Sequence, residues 1–217
     1  MQEMAGNPRI SGFTTNPTLI RKAGVTQYFN FASAAARSHP DKPISLEVFA
    51  DDFGEMCRQA RTLAAIGPNV YVKIPVTDTN GAFSGGVIEL LSRTEVKVNV
   101  TAVMDYWQIE RVMELLSSKT PSIVSVFAGR IADTGRDPVG MVRYAMENVT
   151  ADCIKILWAS PRQVRDVYLC EEIGCDIITV SKDILAKLDL RHKDLSQFSL
   201  DTVKMFRNDA LAAGYTL

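Results

Sequence analysis

Seven short β-rich segments punctuate the chain at intervals too long for hairpins and suited to strand–helix units. They cover residues 12–16 (GFTTN), 44–49 (ISLEVF), 70–75 (VYVKIP), 97–103 (KVNVTAV), 122–128 (SIVSVFA), 154–160 (IKILWAS) and 176–181 (DIITVS). Their starts are 32, 26, 27, 25, 32 and 22 residues apart, the spacing of βα units with parallel strands. Helical patterns fill the intervals, over residues 18–37, 51–65, 105–116, 138–147, 161–173 and 182–188, and a further amphipathic run covers 199–213. In the second of these, Met56, Ala60, Leu63 and Ala64 fall on one face. Gly67-Pro68-Asn69 and Gly174-Cys175 end helices just before the next strand. No linker reads as a domain boundary, so residues 1–217 are expected to form a single domain.

Such a repeat can close into a (β/α) barrel or open into a doubly wound sheet, and the strand faces separate the two. Side chains alternate along a strand. One parity is aliphatic in nearly every segment. The other collects polar groups near the carboxyl end: Thr14 and Asn16, Ser45 and Glu47, Lys73, Asn99 and Thr101, Ser125, Ser160, and Thr179 and Ser181. An open sheet covered on both faces would read as continuous apolar runs. A barrel with a site in its upper interior needs this division. The expected fold is therefore a TIM (β/α)8 barrel. Residues 1–10 read as the end of a helix and an Asn7-Pro8 turn, so the chain is expected to begin inside the first βα unit, without its strand.

Composition narrows the function. The chain of 217 residues is 47% hydrophobic and 23% charged, with net charge −1 and its cations dispersed. No electrostatic footprint for nucleic acid or an anionic membrane is present. No apolar run spans a bilayer and Met1-Gln2-Glu3 does not open a signal peptide, so a cytoplasmic protein is expected. Cys57, Cys153, Cys170 and Cys175 form no CxxC pair, and with only His39 and His192 there is no zinc spacing. Neither metal nor cofactor is expected.

The chemistry centres on Lys73, an amine set inside the otherwise apolar strand VYVKIP. Desolvation favours the free amine, the nucleophile that attacks carbonyls to form Schiff bases. Taken singly, Lys73 reads first as a lysine snorkelling from an edge strand, Glu47 as its ion-pair partner and Asn99 as a satisfied core amide. Together, on adjacent strands, Lys73, Glu47, Asn99 and Thr101 supply a nucleophile, a proton carrier and substrate-orienting donors. Arg130 and Arg162 each lie just past a strand end, where guanidinium forks can hold a phosphate.

The pieces GFTTNPT (12–18), SLEVFAD (45–51), YVKIPVT (71–77), KVNVTAV (97–103), SVFAGRI with Asp133 (125–133) and WASPR (158–162) occur in one order across nearly the whole chain. In these the chain resembles the transaldolases, in the small microbial branch that also contains fructose-6-phosphate aldolases. The resemblance implies a Schiff base on Lys73, with Glu47 and Thr101 moving protons through a water. It implies that Thr14, Asn16, Asn99, Ser125 and Phe127 line the substrate, and that Arg130, Ser160 and Arg162 bind phosphate. The aldolase branch carries Gln and Tyr where this chain has Glu47 and Phe127, which favours transaldolase. The implied partners are small sugar phosphates and further copies of the chain as a homo-oligomer. The family's first strand carries an aspartate that shuttles the C4-hydroxyl proton, and the residues here begin after it.

Three readings follow. The first is a transferase that moves a dihydroxyacetone unit from sedoheptulose 7-phosphate or fructose 6-phosphate to an aldose phosphate, in the pentose phosphate pathway. The second is a lyase that releases free dihydroxyacetone. The third is a sugar-phosphate-binding barrel with impaired catalysis.

Overall fold

The computed structural model describes residues 2–216. It contains strands β1 (Phe13–Thr14), β2 (Ile44–Glu47), β3 (Val70–Pro75), β4 (Val98–Val103), β5 (Ser122–Val126), β6 (Ile154–Trp158) and β7 (Ile177–Ile178). Each pairs in parallel with its sequence neighbour, in the order β1-β2-β3-β4-β5-β6-β7. Spatial order equal to chain order means that every crossover steps the same way. Right-handed crossovers then place all the helices on one face, and the other face can escape water only by curling on itself. The edges do approach: the hydroxyls of Thr14 and Thr179 lie 2.7 Å apart. The fold is a curled parallel sheet, a half-barrel, sheathed in helices. Among the described residues β1 and β7 are the sheet's two ends, so the complete eight-stranded closure expected from the sequence is met only as far as this side-chain bridge.

The helices of this unit are α1 (Gln2–Ala5), α2 (Pro17–Lys22), α3 (Tyr28–Ser38), α4 (Phe53–Ala64), α5 (Gly85–Arg93), α6 (Tyr106–Leu115), α7 (Ala128–Ala132), α8 (Val139–Glu147) and α9 (Val164–Glu172). Several of these depart from the sequence reading, and α5 and α7 occupy stretches where it expected no helix. The run expected over 18–37 breaks in two because Gly24 takes φ +71°, with Val25 donating back to the Ile20 carbonyl and Gly24 to Arg21, a glycine-ended helix stop. The run expected from Pro161 starts at Val164, where Gln163 and Asp166 form a reciprocal capping box.

The packing follows the parity read from the sequence. In β3, Val70, Val72 and Ile74 are buried against the helices, while Tyr71, Lys73 and Pro75 are half-buried on the inner face. Leu46, Val72, Ile74, Val98, Val100, Val124 and Ile156 are all 0% exposed in that outer layer, at about 1.5–3 kcal/mol each. This layer supplies most of the apolar stabilisation, and the inner face is free to carry polar groups. A smaller cluster of Ile123, Leu157 and Ala159, with Tyr71, Phe127 and Ile177, fills the interior.

Residues from Ser181 onward form a second compact unit, comprising α10 (Lys182–Ala186), a 3-10 turn (Leu188–Leu190) and α11 (Leu195–Ala212). The Asp194 side chain accepts from the Gln197 N–H to start α11, and Lys193 pairs with Asp201 at 2.6 Å.

Candidate active site

The strand register places Glu47, Lys73 and Asn99 directly side by side on β2, β3 and β4. Lys73 Nζ donates to Glu47 Oε1 at 2.8 Å and to the Thr15 carbonyl at 2.8 Å. The two side chains are 11% and 7% exposed, so this is a buried ion pair, in which each charge depends on the other. Glu47 Oε2 accepts from Thr15 Oγ1 at 2.7 Å, and the Tyr28 hydroxyl lies 3.4 Å away. Burial, and then the Glu47 charge, push the Tyr28 phenol well above its ordinary range, so it stays a donor.

Asn99 is fully buried. Its Nδ2 donates to Ser45 Oγ at 3.0 Å, and Ser125 Oγ donates to its Oδ1 at 2.7 Å. The amide is thereby fixed in orientation by β2 and β5. Beyond it the β4 register shifts between Val100 and Val103, with Ala102 at φ +64°. Such a bulge re-aims side chains at a strand end. Val103 returns to the outer core, while Thr101 keeps a buried hydroxyl that has no hydrogen-bond partner within the protein. On the near edge Thr14 meets Thr179, and Asn16 Oδ1 caps α2 by accepting from the Leu19 N–H at 2.8 Å.

A second group forms where β5 and β6 end. Phe127 packs into the inner cluster and opens α7. Behind it Gly129 N–H donates to the Ala159 carbonyl at 3.2 Å, so close that a Cβ on Gly129 would stand 1.5 Å from the Ser160 oxygen. Ser160 takes φ +61° at this crossing. The contact draws Arg130, on α7, to the segment that carries Ser160 and Arg162. Arg162 Nε donates to Asp133 Oδ1 at 2.9 Å and Nη2 pairs with Oδ2. The Arg162 contact, with Arg130 as a further positive neighbour, holds the Asp133 carboxyl below the usual range.

The candidate residues thus fall into two main sets, Glu47, Lys73, Asn99, Thr101 and Ser125 on the strands around the amine, and Phe127, Arg130, Ser160 and Arg162 around the Gly129 crossing, while Thr14 and Asn16 lie at the β1 edge. Four participants were not singled out from the sequence. Thr15 has the wrong strand parity, and Tyr28 arrives from a helix. Gly129 acts through the absence of a side chain. Asp133 belongs to the 125–133 motif, which gives it no role. A cleft of ≈ 140 Å³ is lined by Tyr28, Phe29, Glu47, Phe49, Gln59 and Leu63.

A curled parallel sheet with a buried lysine–carboxylate pair on its inner wall defines a TIM-barrel-like protein built around an amine. Among solved structures the fold is similar to "Crystal structure of KGPDC from Streptococcus mutans" (TM-score 0.56, 12% identity, 82% of this chain and 78% of that one). It is also similar to "Native KDPGal structure" (TM-score 0.51, 12% identity, 74% and 68%). The profile of the family described as Transaldolase/Fructose-6-phosphate aldolase matches residues 1–215. A "Probable transaldolase" of Methanococcus maripaludis is 35% identical over 182 residues, covering 82% of this chain and 80% of that protein. One from Maridesulfovibrio salexigens is 33% identical over 203 residues, covering 90% and 89%. The chain belongs to the Transaldolase/Fructose-6-phosphate aldolase family.

Proposed function

We propose that the chain is a transaldolase that works through a Schiff base on Lys73. The observation that carries this reading is the buried contact of Lys73 Nζ with Glu47 Oε1 at 2.8 Å. An ammonium must lose a proton before it can attack, and a carboxylate at hydrogen-bond distance is placed to take it. The amine then adds to the C2 ketone of a ketose phosphate. Glu47 returns the proton to the departing hydroxyl through a water held with Thr101, and the imine forms as water leaves. The protonated imine takes up the electrons of the C3–C4 bond as it breaks, and the C4 hydroxyl gives its proton through the water held with Thr101 to the Glu47 carboxylate, which returns it to the hydroxyl formed when the acceptor adds. The aldose phosphate departs, and a three-carbon enamine stays on Lys73. Addition of this enamine to the aldehyde of an acceptor aldose phosphate, followed by hydrolysis of the imine, completes the transfer.

Asn99, oriented by Ser45 and Ser125, would hold the dihydroxyacetone hydroxyls together with Thr14 and Asn16, while Phe127 walls the site. Arg130, Ser160 and Arg162 would take the phosphate, which must compete with Asp133 for the Arg162 fork. In this reading the half-barrel is a (β/α)8 barrel whose remaining position lies between β1 and β7. The imine serves as its own electron sink, so no cofactor or metal enters. The protein would act in the cytoplasm on pentose phosphate pathway sugars, as a homo-oligomer.

The test is incubation with fructose 6-phosphate in the presence and absence of an aldose phosphate acceptor. Acceptor-dependent formation of a new ketose phosphate is expected. Free dihydroxyacetone without an acceptor would make it a lyase, and binding without turnover would make it a sugar-phosphate binder.

A further inference from the structure

Strand β1 ends early, and the way its ladder is finished points to a role for Tyr28. Phe13 and Thr15 donate to the carbonyls of Pro43 and Ser45. The next rung of that parallel ladder would send the Glu47 N–H to the Thr15 carbonyl. The Thr15 carbonyl is instead taken by Lys73 Nζ at 2.8 Å, and the Glu47 N–H donates to the Tyr28 hydroxyl at 2.9 Å. The same hydroxyl lies 3.4 Å from Glu47 Oε2. One phenol therefore bridges the backbone and the carboxylate of a single residue. Breaking one rung has supplied the amine with an acceptor and the carboxylate with an anchor.

Thr15 does not make this anchor redundant. Its hydroxyl has one proton and two acceptors in range, Glu47 Oε2 at 2.7 Å and the Ser45 carbonyl at 2.9 Å. Tyr28 has a single carboxylate to serve. Its ring is held independently of the hydroxyl, edge-on to Phe49 with centroids 4.6 Å apart and tilted against Phe31 at 6.3 Å.

We infer that Tyr28 is a positioning residue: it turns Oε1 of Glu47 toward Lys73 by holding Oε2 against the Glu47 backbone. The inference rests on the proposed role of Glu47 in proton transfer. Without the hydroxyl, the carboxylate keeps its Lys73 contact but gains freedom about its side-chain torsions, and proton transfer during imine formation slows.

The experiment compares Tyr28→Phe, Glu47→Gln and the double variant with the wild-type chain, using fructose 6-phosphate and borohydride. The rate of label fixed at Lys73 is read by mass spectrometry, which counts slow variants too, alongside steady-state kcat and KM. Tyr28→Phe keeps the ring packing, so the fold should hold, and circular dichroism checks this. The expected result is about a tenfold fall in kcat and in trapping rate, the effect of losing one hydrogen bond to a charged group. KM should change by less than about twofold, because Tyr28 does not bind substrate. In the Glu47→Gln background the same Tyr28→Phe change should have little further effect, since its action passes through the carboxylate. An unchanged trapping rate in Tyr28→Phe, or an equal loss in both backgrounds, overturns the inference. Absence of label at Lys73 in the wild-type chain overturns the Schiff-base reading itself, and this inference with it.

Discussion

Replacing Gly129 by alanine should be far more damaging than its chemistry suggests. The added Cβ would lie 1.5 Å from the Ser160 oxygen and 2.6 Å from the Ser160 carbonyl carbon. Real Cβ atoms keep at least 3.0 Å, so the α7 and Ser160 segments must part by about 1.5 Å. Both obstructing atoms are backbone, at a residue already in the left-handed region, so no rotamer change relieves the clash. Parting the segments also breaks the Gly129 to Ala159 hydrogen bond and strains the Ala159 to Val126 bond, at 3.2 and 2.8 Å. Overpacking at about 1–3 kcal/mol and two weakened buried bonds at about 1 kcal/mol each sum to roughly 3–5 kcal/mol, a large share of a domain's stability. Urea unfolding followed by circular dichroism reads this directly. Gly86→Ala is the internal control: nothing lies within 4 Å of its Cβ position and it sits in the first turn of α5, so the protein should gain up to about 1 kcal/mol. If Gly129→Ala unfolds within about 0.5 kcal/mol of the wild type, the close crossing that gathers Arg130, Ser160 and Arg162 is not what the structure describes.

Three further outcomes follow. Arg162→Ala should raise the apparent KM for phosphorylated sugars by roughly tenfold or more while leaving unphosphorylated dihydroxyacetone nearly unaffected, through loss of a charge-assisted contact of about 1.5–3 kcal/mol; an equal loss on both would remove the phosphate assignment. Lys73→Met should destabilise the fold by about 3 kcal/mol because it strands the buried Glu47 charge, and Lys73→Met with Glu47→Leu should recover most of it, as measured by denaturant unfolding. The Arg58 side chain, bonded to Glu55 at 2.5 and 2.7 Å, lowers the exposed Glu55 carboxyl to about 2. A folded value below the ordinary carboxylate range contributes stability above that range and loses it as pH falls toward 2, so an NMR titration should place the Glu55 midpoint near 2 and Arg58→Ala should move it back toward the ordinary range, with the Gln59 hydrogen bond still holding it somewhat down.

The fold was legible in this sequence because parity and spacing are local properties. Strand starts 22 to 32 residues apart dictate parallel crossovers, and the alternation in VYVKIP already separates the outer Val70, Val72 and Ile74 from the inner Lys73. The row of Glu47, Lys73 and Asn99 was legible for the same reason, since in-register parallel strands bring equivalent inner positions together. The parts hidden from the sequence depend on where regularity stops. Thr15 lies on the outward parity and matters only because β1 ends beside it. Tyr28 reaches Glu47 from a helix whose existence turns on Gly24 adopting φ +71°. Gly129 leaves no pattern of its own, because its contribution is the space that lets the Ser160 backbone pass. Arg162 read as a free phosphate fork, yet the structure shows that fork closed on Asp133. That pairing comes from two loops brought together by the sheet, not from their separation in the chain.

The central claim is the covalent chemistry of Lys73, and one measurement meets it directly. The purified chain is incubated with fructose 6-phosphate, reduced with borohydride, digested and mapped by mass spectrometry. The account predicts a reduced adduct on Lys73 alone, a three-carbon unit where the substrate is cleaved or the intact sugar where reaction stops at the imine, and none in Lys73→Ala. An adduct on another lysine that persists in Lys73→Ala, or no adduct under turnover, would contradict it.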